Sequence, residues 1–114
     1  MKMMRRFLAL CLLAACTAPE ESVNIPPGIL PMDSAAAVLR DIHGLESSMM
    51  LSSIRQDSAQ NLYRVLETEL FQKHRLDTGY FNNSLRYYAG NPFLLDSLYR
   101  MVIKKTDSSA LTPP

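Results

Sequence analysis

Tryptophan is absent from the chain, glycine occurs four times and cysteine only twice. Each scarcity excludes something. The glycines do not form a phosphate-cradling loop, and no serine sits in a nucleophile elbow. No run of alternating or β-branched residues reads as a strand, and no internal repeat is visible. Neither sign of charge dominates: twelve basic side chains stand against eleven acidic ones. The apolar run Phe7–Leu13 falls far short of the roughly 20 residues that span a bilayer as a helix.

What the N-terminus does contain is a targeting pattern. Lys2, Arg5 and Arg6 form a positive stretch, Phe7–Leu13 an uncharged apolar one, and Leu13-Ala14-Ala15-Cys16 a lipobox. The small residues admit a peptidase to the backbone, and the Cys16 thiol is the atom that accepts a lipid. Residues 1–15 are therefore expected to be a cleaved lipoprotein signal peptide, with cleavage between Ala15 and Cys16. Diacylation or triacylation (palmitate among the chains) would hold the protein firmly at a membrane, because two or more chains anchor where one barely does. Cys11 leaves with the leader, so Cys16 is the sole remaining cysteine and no disulfide within the mature chain is expected.

Cleavage also removes Lys2, Arg5 and Arg6. Nine basic side chains then face eleven acidic ones, a net charge of −2. That argues against a nucleic-acid partner, which needs a basic face. Thr17, rather than Asp, follows Cys16, which points to the outer membrane of a bacterial envelope. The pair Glu20-Glu21 hints at surface export, and the membrane face stays open.

Residues 16–31 form a tether. Four of the seven prolines fall there, at Pro19, Pro26, Pro27 and Pro31, and proline supports neither helix nor central strand. Thr17–Asn24 is polar and, at ~3.1 Å per extended residue, reaches about 25 Å. Ile25, Ile29 and Leu30 suit either an arm lying on the domain or a simple lead into the first helix.

The fold class read from periodicity is all-α: a small bundle of about four helices within a domain at 32–105. The first spans roughly 33–53, with Asp33 able to cap it and a stripe of Ala35, Val38, Leu39, Ile42, Leu45, Met49 and Met50. The second spans 58–74, with Asp57 or Ser58 as cap and Gln60 placed for a capping box. The third spans 78–89 and is capped by Asp77 or Thr78. Gly90-Asn91-Pro92 then stops it and starts the fourth, 92–105. Residues 106–114, small and polar with Pro at the end, are expected to be a disordered tail.

Two motifs in these helices resemble the small Bacteroidota lipoproteins grouped as "domain of unknown function 4296". One is Pro27-Gly28-Ile29, then Met32, then Leu39-Arg40-Asp41-Ile42-His43-Gly44-Leu45-Glu46. The other is Phe81-Asn82-Asn83-Ser84-Leu85-Arg86-Tyr87-Tyr88, followed by Pro92, Leu98-Tyr99 and Val102. Lys73-His74 fits the basic-His stretch between them, and Arg75 stands where the family often has Gly. The resemblance covers about residues 26–103. It implies an all-helical lipoprotein and no known activity.

Few residues suggest chemistry. Glu46 falls on the apolar stripe of the first helix, where a carboxylate must find a partner or become neutral. His43 is one turn away and Asp41 flanks the stripe. Asp41, His43 and Glu46 are thus the candidates for a buried polar knot or a binding site. His43 and Glu46 have a metal-ligand spacing, but the second helix offers only Glu67 and Glu69 to complete a set, so no metal and no cofactor are expected. Asp41, His43 and Ser84 do not make a hydrolytic triad, because residues two apart on a helix point about 160° away from each other. No catalysis is expected. His74 is expected to be a solvated helix end. Met50, Tyr80 and Tyr87 are candidate interface residues, since Met adapts to a partner and Tyr buries area while keeping a polar end. The reading is a lipid-anchored helical interaction module, an accessory subunit of an outer-membrane or envelope assembly with an unidentified protein partner. The alternative is a lipid-anchored binding protein for a small molecule, lipid or glycan fragment, with Glu46 and His43 as polar contacts.

Overall fold

The computed structural model of the chain describes residues 23–110. The expected signal peptide at residues 1–15 with its cleavage site at Ala15, the expected lipidation site Cys16, and residues 17–22 of the expected tether lie outside the described residues. Four helices follow one another: α1 (Met32–Leu51), α2 (Gln56–Lys73), α3 (Thr78–Ala89) and α4 (Pro92–Ala110). Among the described residues there is no strand, and no helix is long and apolar enough to cross a membrane.

The helix ends differ in how they are made. Asp77 caps α3 by accepting from the Tyr80 amide at 3.0 Å. Asn91 does the same for α4, with Oδ1 accepting from the Phe93 amide at 3.0 Å. These are the short polar caps that the sequence predicts. The expected caps of α1 and α2 are not used. Asp33 sits in the first turn and pairs with Lys105 at 2.8 Å instead. α2 begins at Gln56, ahead of Asp57 and Ser58, and no side chain caps it. α4 also runs to Ala110, so the tail expected from residue 106 is helical as far as residue 110.

The end of α2 explains an odd residue. The Leu76 amide donates to the Phe71 carbonyl and the Arg75 amide to the Gln72 carbonyl, both at 3.0 Å. This double bond pattern requires a left-handed residue just past the helix. Arg75 supplies it, with φ at 52°. The position favours Gly, because a side chain there crowds the following carbonyl.

α1 is the centre of the bundle and packs against each of the other three helices, most extensively against α4. The core is Ala35, Ala36, Val38 and Leu39 of α1 with Phe71, Phe81, Tyr88, Leu94, Leu98 and Val102. Phe71, the one buried residue of α2, meets Phe81 edge-to-face at 5.5 Å between ring centres, an arrangement that aromatic quadrupoles favour.

The chain before α1 is an arm on the bundle rather than a loose lead. Pro26-Pro27-Gly28-Ile29 makes a tight turn closed by the Ile29 amide on the Pro26 carbonyl at 3.3 Å. Gly28 has φ at 89°, as the third residue of a type II turn requires. The turn brings Ile25 and Ile29 onto the core and buries Leu30.

Candidate functional site

The two sequence motifs meet at Leu30. Its amide donates to Ser84 Oγ at 2.8 Å, and its carbonyl accepts from the Tyr88 hydroxyl at 2.6 Å. Both side chains are fully buried. Ser84 Oγ donates in turn to the Tyr80 carbonyl at 2.9 Å. A buried residue that belongs to neither helix nor sheet thus has both its backbone N–H and its C=O satisfied by α3. The spacing of Ser84 and Tyr88, one turn apart on the buried face of α3, is what reaches both backbone polar groups of a single residue. This also disposes of Ser84 as a nucleophile: its oxygen is committed twice and meets no solvent. Burial, with Tyr87 and Tyr80 close by, raises the Tyr88 hydroxyl above its ordinary value of 10.0.

The polar cluster of the molecule is centred on Asp41, not Glu46. Asp41 Oδ1 accepts from Arg40 Nη2 at 2.7 Å and Nε at 2.9 Å. Its Oδ2 lies 2.8 Å from His74 Nε2 and 3.6 Å from Lys73 Nζ. Arg40 Nη1 donates to Ser109 Oγ at 3.3 Å, so the cluster ties α1, α2 and α4 together. Partial burial pushes the Asp41 carboxyl up. The hydrogen bonds from Arg40 and His74, with the charges of Arg40 and Lys73, outweigh that and hold it below its ordinary 3.8.

Three expectations are corrected here. Glu46 is not buried: its side chain is 49% exposed, and its contact with His43 Nδ1 is a loose 3.4 Å. The reason lies along the helix rather than around it. Glu46 falls on the core side of α1, but the buried core stops at Leu39 and the partly buried Ile42, short of Glu46. His43 is likewise exposed, with its ring 6.4 Å from that of Tyr99. His74 is not a solvated helix end, since its side chain is 20% exposed and aimed at Asp41. The Asp41–His74 pair was legible only in part. Both residues stand in the motifs, but nothing in their spacing says that the end of α2 returns to the middle of α1.

The interface candidates also separate. Met50 is 87% exposed, as is its neighbour Leu51 at 88%. Tyr87 is at the edge of exposure and stacks edge-on against Tyr88. Tyr80 is partly buried against the core.

Beside the cluster runs an open groove of about 810 Å³, with α1 as its floor and α2 and α4 as its walls. Arg40, Gly44 and Ser47 lie on the floor, Leu66 and Lys73 on one wall and Ser109 on the other. Glu46 does not line it. Among the described residues, no three His, Cys, Asp or Glu side chains converge as a metal set would.

An all-helical bundle with an arm pinned to its third helix, and a polar tie across α1, is therefore the type of protein this chain makes. The chain belongs to the family described as "Domain of unknown function (DUF4296)", whose model matches residues 26–110. The match takes in the Pro27-Gly28 turn, the Asp41 segment, His74, and the Ser84 and Tyr88 latch. No curated protein and no solved structure matches the chain.

Proposed function

We propose that this protein is a lipid-anchored helical interaction module, held to the outer membrane through Cys16 and serving as an accessory subunit of an envelope assembly, without catalysis. One observation carries the reading. The free end of the α1–α2 hairpin exposes Met50 and Leu51 almost fully and Ile54 in part, and Leu62 and Val65 are partly exposed further along α2. Exposed aliphatic side chains gathered on one hairpin of a small domain support a place where something binds.

Native co-purification tests it. The full chain carries a tag after Pro114, and membranes are solubilised gently. A companion at fixed ratio is expected, and it is lost with Leu51→Glu and Leu62→Glu while the thermal midpoint stays unchanged. A lone protein, even after crosslinking, overturns the reading. Cys16→Ser should shift the protein out of the membrane fraction, and an unchanged fraction overturns the anchor.

The groove beside Asp41 favours a second reading, a binder of a small polar molecule. His43 lines this groove, but Asp41, Arg40 and Lys73 replace Glu46 as the contacts. A bound molecule seen by native mass spectrometry, released by Arg40→Ala, would select it.

A further inference from the structure

We draw no further inference here: the strongest candidate, the open trough over α1 between α2 and α4, is lined by cations already paired within the chain, Lys73 with Asp41, Arg100 with Asp96 and Lys105 with Asp33, and nothing in the structure shows what covers it.

Discussion

The two ends of α1 have the same kind of sequence and different surroundings. Its first half, with Leu30 before it, meets α3 and α4 and holds Ala35, Ala36, Val38 and Leu39 in the core. Its second half meets α2 and, through Arg40–Ser109 and the His43–Tyr99 ring contact, the flank of α4, and no residue from Arg40 to Leu70 is buried. Yet the apolar periodicity of α1 continues through Leu45, Met49 and Met50. Periodicity reports which side of a helix turns inward and is silent on how far the neighbours extend. α3 has 12 residues against the 20 of α1, so at ~1.5 Å per residue it cannot accompany α1 to its end. The stable base and the projecting hairpin are the result.

The sharpest way to break this comparison is a matched pair of truncations. Leu98, fully buried at the base, should lose about 2–5 kcal/mol as Leu98→Ala. Leu62→Ala on the hairpin should stay within about 0.5 kcal/mol. Chemical denaturation of the two variants measures the contrast, and equal losses would mean that the hairpin has a core of its own.

Tyr88→Phe should come next. It leaves the buried Leu30 carbonyl without its donor, at about 1–3 kcal/mol. The pH dependence sharpens the point. The Tyr88 hydroxyl is raised in the folded protein, so the protonated form is the one the fold favours. Its contribution is complete below the unfolded value near 10.0 and is lost as pH rises through the higher folded value. The variant's stability should decline less over that alkaline range than the parent's.

Asp41→Asn tests the tie at the boundary between the two halves. The loss should be about 1.5 kcal/mol, since hydrogen bonds to a charged group are involved. Asp41 is lowered in the folded protein, so its contribution is complete above the unfolded value near 3.8 and is lost as pH falls through the lower folded value. The variant should be flatter than the parent in that acid range, by thermal melts at stepped pH.

The smallest effect has the opposite sign. Arg75→Gly relieves the left-handed residue that ends α2 and should stabilise by up to about 1 kcal/mol. A loss instead would mean that the Arg75 side chain contributes more than its backbone costs.

Much of the fold was legible because it depends on local signals. Gly90-Asn91-Pro92 and Asp77 mark their helix boundaries through short side chains that bond the adjacent backbone. Helical spacing aligns Phe81, Ser84, Leu85 and Tyr88 on α3 and Leu95, Leu98, Tyr99 and Val102 on α4; Phe81, Ser84, Tyr88, Leu98 and Val102 are buried, Tyr99 is exposed, and the buried Leu94 lies off the stripe. The start of α2 was not legible, because Asp57 and Ser58 lie inside a helix that begins uncapped at Gln56. The candidate site depends on distance in space rather than along the chain. Asp41 was among the candidates, but its partner His74 is 33 residues away, and the choice of Glu46 as the buried carboxylate assumed a core that stops short of it. The Leu30 latch was half visible. Ser84 and Tyr88 stood in a motif, and Leu30 stood in an apolar arm, but only the folded chain shows the backbone of one residue held by both.

That latch has a mechanical consequence. A pull on the chain at Ile25 travels through the Pro26–Ile29 turn and arrives at Leu30 before it reaches α1. There it meets two hydrogen bonds to Ser84 and Tyr88, which pass the load sideways into α3 and from α3 into the core. The first turn of α1, uncapped by any side chain, is spared that load. A domain tethered from this end can be tugged without being unwound from it.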